Sequence, residues 1–225
     1  MPQLDSDART LDLKLVYYGP ALSGKTTNLR ALKSLAPPTV AGRLMTLETR
    51  DNRTLFMDLL PMVLHSESGF SVRLKVITVP GQMIHASTRA VLLDNVDGVV
   101  FVADSQVDES DANKTAFNDL AENLADQGVS ADIPLVFQFN KRDLANVRSE
   151  MELETFRRRR NVPLYRAVAT RGIGVIETFR GLLEIVWTQL DADYDLSLLF
   201  GEDHEALLTR FFHDWNSPDD VEAWQ

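Results

Sequence analysis

Gly19-Pro20-Ala21-Leu22-Ser23-Gly24-Lys25-Thr26 is a complete G-x-x-x-x-G-K-[ST] pattern, set between an apolar run and a segment of helical periodicity. The run before it, Leu13 to Tyr18, reads as a buried strand; after it, Leu29, Leu32 and Leu35 recur at helical spacing. In that context the pattern predicts a phosphate-binding loop. Backbone N–H groups can wrap a phosphate only where side chains leave room, which Gly19 and Gly24 supply, and the helix that follows adds the positive end of its dipole. The candidate phosphate contacts are Gly19, Ala21, Leu22, Ser23, Gly24, Lys25, Thr26 and Thr27. Lys25 can reach the β- and γ-phosphates of a nucleotide, and the Thr26 hydroxyl is placed to coordinate a magnesium ion.

Outward from this loop, strand-like runs appear at Leu13 to Tyr18, Thr54 to Met62, Ser71 to Val79, Gly98 to Ala103, Ile133 to Asn140 and around Pro163 to Ala169. Helical periodicity alternates with most of them, from about Thr26 to Leu35, Met83 to Leu93, Ala112 to Gln127 and Glu150 to Arg158. The clearest is the apolar face Val175, Ile176, Phe179, Leu182, Leu183, Val186, Trp187 and Leu190. This alternation predicts an α/β fold, a doubly wound, six-stranded, mostly parallel sheet covered on both faces. The second and third strands, joined by His65 to Gly69 with no helix between, should be the antiparallel pair. Ligands collect at the carboxyl ends of such strands.

At 225 residues the chain is one domain with an appendage. No eighteen-residue apolar stretch is present, so no integral membrane segment is expected. The polar, acidic start of the chain is unlike a signal peptide, Pro2 excludes myristoylation, and there is no cysteine for a disulfide or a lipid anchor; a cytoplasmic protein is expected. The net charge of −10 is concentrated in residues 191–225, which hold ten acids against one arginine. A neutral body with an acidic tail argues against nucleic acid as a ligand.

Two further motifs fall at strand ends. Asn140-Lys141-Arg142-Asp143 is an N-K-x-D directly after the strand Pro134 to Phe139. An aspartate carboxylate can accept two hydrogen bonds from a guanine's ring N–H and exocyclic amine, while the lysine stem lies along the base and the asparagine ties the segment to the phosphate loop. Adenine has no such donor pair. Alone, the tetrapeptide is equally a solvated turn; in a chain with a phosphate loop it reads as guanine recognition. Thr78-Val79-Pro80-Gly81-Gln82 resembles the D-x-x-G-Q of Ras-like GTPases, in which the Gly81 N–H would contact the γ-phosphate and Gln82 would orient the attacking water. Thr78 stands where aspartate usually helps hold magnesium. That departure means either a different metal surround, with Asp58 on the neighbouring strand as substitute, or impaired hydrolysis.

Tyr17-Tyr18-Gly19-Pro20, Gly24 to Leu29, Arg53-Thr54-Leu55-Phe56, Thr78 to Gln82, Asp97 to Ser105 and Asn140 to Leu144 together resemble the bacterial MglA family of small Ras-like GTPases, over about residues 10 to 190. The Thr-Val-Pro-Gly-Gln variant is characteristic of that family. The resemblance implies a Ras-like P-loop domain at 1–190 that binds GTP and GDP with magnesium and hydrolyses GTP. It implies that Thr54 senses γ-phosphate and magnesium, that Arg53 is a built-in finger, that Gln82 positions water, and that Val168-Ala169-Thr170 is the last guanine-contacting loop. Ala21, often glycine in the family, points its methyl toward the γ-phosphate region and predicts slow intrinsic hydrolysis. The resemblance further implies a switch that marks a cell pole in motile bacteria, deactivated by a homodimeric Roadblock/LC7-fold GAP, MglB. Ala36 to Asn52 and Pro80 to Arg89 are the expected mobile elements, and Thr54 to Met62 is a strand that shifts.

Residues 191–225 are expected to be a partly helical extension. Leu207, Leu208, Phe211, Phe212 and Trp215 form a stripe flanked by acids, either packed on its own domain or free to dock an effector. Arg157 to Arg160 read as a solvated, basic helix end, with contact to acidic lipid or the acidic tail as the alternative. The four histidines have no metal-ligand spacing. Two other readings stand beside the GTPase: a non-hydrolysing, GTP-dependent interaction module, and a P-loop kinase or ATPase, which Asn140 to Asp143 disfavours.

Overall fold

The computed structural model describes residues 2–48, 56–80, 92–130 and 132–220. Its strands are β1 (Gln3–Asp5), β2 (Thr10–Tyr18), β3 (Met45–Glu48), β4 (Phe56–His65), β5 (Ser71–Thr78), β6 (Gly98–Asp104), β7 (Leu135–Asn140) and β8 (Leu164–Arg166). Its helices are α1 (Lys25–Leu35), α2 (Ser110–Asp126), α3 (Glu150–Arg160), α4 (Val175–Tyr194), α5 (Leu196–Phe200) and α6 (His204–His213). The sheet runs in the order β3-β4-β5-β2-β6-β7-β8, with β1 pairing β2 off this path.

Pairing of β2 with β5 and β6, of β6 with β7 and of β7 with β8 is parallel, and β4 runs antiparallel to β5 from Leu59↔Ile77 to His65↔Ser71. The six expected strands are present, and two short ones join them. Neither β1 nor β3 has a sequence signal of its own: three and four residues are too few to establish an alternation, and each exists because a longer strand offers it a ladder. The expected helix Met83 to Leu93 lies, apart from its last two residues, outside the described residues.

The period-2 pattern of β2 divides the core. Leu11, Leu13, Leu15 and Tyr17 enter a cluster with Leu29 and Leu32 of α1 and Phe179, Leu182 and Val186 of α4. Val16 and Tyr18 enter the opposite cluster, with Leu120 of α2 and Leu153 of α3. Every residue of β6 is buried, as a central strand covered on both faces requires. Because α1 and α2 cover opposite faces, the chain leaves β2 and β6 on different sides. The two strands are neighbours, so the crevice for a ligand opens at their carboxyl ends.

The C-terminal segment packs on the domain. Helix α4 continues past residue 190 to Tyr194, and Asp203 caps α6 by accepting the Ala206 N–H at 2.8 Å. Leu207, Leu208 and Phe211 are buried, and Phe211, Phe212 and Trp215 gather round Phe179 with ring centroids 6.1–6.4 Å away. Phe200 lies between Phe70 and Trp187, at 4.8 and 5.1 Å. The arginine run ends α3, where Glu154 pairs with Arg157 and Arg158 and the Arg160 guanidinium lies 5.2 Å from the Phe117 ring. No helix among the described residues is long and apolar enough to cross a membrane.

Phe179 is wholly buried at the meeting of sheet, α4 and α6. Phe179→Ala should cost about 3–5 kcal/mol in urea denaturation, the range for emptying a large aromatic site.

Candidate functional site

The loop after β2 is held in a shape that only its own residues permit. Gly19 has φ 147°, and a Cβ there would lie 2.2 Å from the Val102 carbonyl oxygen of β6. Gly24, at φ 102°, caps α1, and a Cβ there would lie 2.2 Å from Asn140 Nδ2. Between them Leu22 takes the left-handed conformation at φ 61° with its side chain in solvent. The first turn of α1 carries no acidic residue, so the positive end of its dipole faces the loop uncompensated.

Lys25 folds back under this loop, 7% exposed, and its Nζ donates to the Gly19 and Pro20 carbonyls at 2.9 and 2.6 Å. Burial lowers its pKa from the ordinary 10.5 to about 8. Among the described residues no carboxylate pairs with it. A buried cation surrounded by carbonyl dipoles and N–H groups is a site for an anion of high charge.

On the β4 side of the loop, Thr26 Oγ1 donates to Asp58 Oδ2 at 2.5 Å and Thr46 Oγ1 donates to Asp58 Oδ1 at 2.8 Å. Thr78 stands one strand over: its hydroxyl accepts the Asp58 N–H at 3.0 Å and lies 3.4 Å from Oδ2. Among the described residues the one carboxylate in this oxygen cluster therefore comes from β4, not from position 78. One buried carboxylate beside the loop threonine suits magnesium, which takes few protein ligands and completes its shell with water and phosphate oxygens. No group of three or more acidic, histidine or cysteine side chains among the described residues could hold a metal by itself. The expected γ-phosphate and hydrolysis residues Arg53, Thr54, Gly81 and Gln82 lie outside the described residues.

At the other end of the loop Asn140, buried at the end of β7, donates from Nδ2 to the Ser23 carbonyl at 2.8 Å and accepts the Ala169 N–H on Oδ1 at 2.9 Å. One side chain thus brings together phosphate loop, N-K-x-D segment and the Val168 to Thr170 loop. Lys141, at φ 65°, pairs with the buried Asp104 carboxylate at 2.5 Å, while Asp143 is exposed. Within the expected guanine-contacting loop Val168 to Thr170, the Ala169 N–H is engaged by Asn140 and Thr170 is exposed. Sequence reasoning gave Asp104 no role of its own, although an acid closing a wholly apolar run was a signal, and it missed Thr46, for which no local pattern exists.

Over 191 residues the chain is 42% identical to the mutual gliding-motility protein MglA of Myxococcus xanthus (strain DK1622), a match that covers 84% of this chain and 98% of that protein. No family model matches.

The Lys25 shift has a direction that pH can read. With its folded pKa near 8 below the unfolded 10.5, the unfolded chain binds the extra proton between these values, so folding stability from this group rises with pH across that window. Below about pH 8 both states are protonated and the burial cost is fully present. In denaturant melts of ligand-free protein, wild type should therefore gain on Lys25→Met between pH 8 and 10.5, and a constant difference would contradict the shift.

Proposed function

Because the chain belongs to the MglA family of small GTPases, we propose that it is a molecular switch that binds GTP with magnesium and hydrolyses it to GDP and phosphate. We place it in the control of cell polarity or motility; gliding motility is the process named for its Myxococcus relative. The observation that carries the nucleotide reading is Asn140, whose one side chain binds Ser23 of the phosphate loop and Ala169 of the base loop.

In this reading the β- and γ-phosphates replace the Gly19 and Pro20 carbonyls as partners of Lys25, and the loop N–H groups from Ala21 to Thr27 cradle them. Magnesium, which neutralises charge on the phosphate oxygens, is held by Thr26 and Thr54, and Asp58 replaces the aspartate missing at position 78. Asp143 accepts from guanine, Lys141 lies along the base with its ammonium on Asp104, and Val168 to Thr170 closes over the base edge. Gln82 orients water for in-line attack and Arg53 supplies charge to the transferring group. Ala21, exposed at the loop, slows the intrinsic reaction, so that turnover depends on a homodimeric Roadblock/LC7-fold GAP of the MglB kind. Residues 1–190 are the switch domain; 191–225 are an extension whose exposed acids, Asp193, Asp195, Asp203, Glu205, Asp214 and Asp219, are open to effectors. The protein acts in the cytoplasm, gathered at a cell pole by its partners.

Single-turnover GTP hydrolysis with magnesium tests this, comparing wild type, Gln82→Leu and Arg53→Ala with and without the MglB-like dimer. Acceleration by the dimer should fall by about 10³-fold in the Arg53 variant, the lower range for a finger, and be lost in the Gln82 variant. Tight GTP binding without turnover under either condition would leave the non-hydrolysing interaction module. Asp58→Asn should raise the magnesium concentration for half-maximal GTP binding about tenfold, the effect of losing one charged supporting partner; an unchanged requirement would remove Asp58 from the metal surround.

A further inference from the structure

Two residues before Asn140, on the same face of β7, Gln138 is completely buried, as are Asn28 of α1 and Thr178 of α4. Three buried polar side chains where a sheet meets two helices are costly unless every donor is satisfied. Here each one is. Asn28 Nδ2 donates to the Gly24 carbonyl at 2.9 Å and to Gln138 Oε1 at 2.8 Å. Gln138 Nε2 donates to Asn28 Oδ1 and to Thr178 Oγ1, both at 2.9 Å, and the Thr178 hydroxyl donates to the Gly174 carbonyl at 2.6 Å. Asparagine and glutamine have two amide hydrogens each and threonine has one hydroxyl hydrogen, so the five bonds use the whole supply and fix both amide orientations.

The ends of this chain give it a purpose. Gly24 is the left-handed cap of α1 inside the phosphate loop. Gly174 is the left-handed cap of α4, next to Ile173, whose carbonyl accepts the Val168 N–H at 3.0 Å and closes the base loop. A rotation of either loop's carbonyl must break a bond in a layer that water does not reach. Apolar side chains of similar size would fill the same space without that linkage, so the polar set contributes coupling rather than burial.

We propose that Asn28, Gln138 and Thr178 are positioning residues, a buried brace that ties the phosphate loop to the guanine-side loop and so sets how tightly guanine nucleotide is held. The proposal rests on the guanine-nucleotide reading above. It adds a second tie, parallel to Asn140 and one layer deeper in the sheet.

The test is the dissociation rate of fluorescent GDP from the full chain with magnesium, measured with the melting temperature. Three proteins are compared with wild type: Thr178→Val, Thr178→Ser, and the all-apolar variant Asn28→Leu/Gln138→Leu/Thr178→Val. Thr178→Val should release GDP about tenfold faster, the equivalent of one buried hydrogen bond, while Thr178→Ser, which keeps the hydroxyl, stays near wild type. The all-apolar variant should keep a melting temperature close to wild type and release GDP faster still. A triad that is only structural would lower the melting temperature of Thr178→Val and leave release at the wild-type rate, and that result overturns the brace. Should Thr178→Val fail to fold, wild-type release from the all-apolar variant overturns it equally. If wild type itself shows no preference for GDP over ADP, the guanine reading fails and the brace falls with it; preference in wild type with unchanged release in the variants removes the brace alone.

Discussion

The side chain of Asn140 imposes the conditions that the rest of the site obeys. To bind the Ser23 carbonyl and the Ala169 N–H together, it must lie against the turn into α1, so residue 24 has no room for a Cβ. The base loop must approach closely, and its inward residues, Ala167 and Ala169, are small and buried. The strand that carries Asn140 must end level with β6, which the parallel register Asp104↔Asn140 provides, while β2 ends beside Phe101 of β6 and leaves the loop room to turn. A parallel sheet puts all its carboxyl ends on one edge, and a single buried amide converts that edge into one cradle.

The elements that build the cradle are also held at their far ends. Asn216 N–H donates to the Leu35 carbonyl at the C-terminus of α1, and Arg210 of α6 donates to the His65 carbonyl at the end of β4. Arg210, the one arginine of the tail, pairs with Glu202 at 2.6 Å and Glu67 at 3.2 Å, so the extension clasps the β4–β5 hairpin through that side chain. Its apolar stripe faces Phe179, while Asp193, Asp195, Asp203, Glu205, Asp214 and Asp219 are exposed. The uneven charge of the sequence is thus a consequence of amphipathic packing: most of the tail's acids have no call to be inside.

How much of this was legible follows from the range of each interaction. The phosphate loop and the N-K-x-D segment are local patterns whose backbone requirements are written into adjacent residues, and the structure brings Gly19 to Thr27, Asn140 and Val168 to Thr170 to one edge. The strand and helix alternation carried the sheet because parallel strands covered on both faces are apolar throughout, as β6 is. What stayed hidden was made by partners distant in sequence. Asp58 meets Thr26 across 32 residues, Gln138 meets Asn28 across 110, and neither periodicity nor spacing encodes such a pair. Sequence reasoning could name Asp58 only as one of two ways to accommodate Thr78, and it gave Gln138 no role within the strand run Ile133 to Asn140.

The central claim is that the edge joined by Asn140 holds a guanine nucleotide, and equilibrium competition tests it most directly. With fluorescent GDP bound in the presence of magnesium, unlabelled GTP should displace the probe at concentrations about 10⁴-fold lower than ATP, the discrimination available to a site whose acceptors are left unpaired by the wrong base. Equal potency of GTP and ATP would contradict the account.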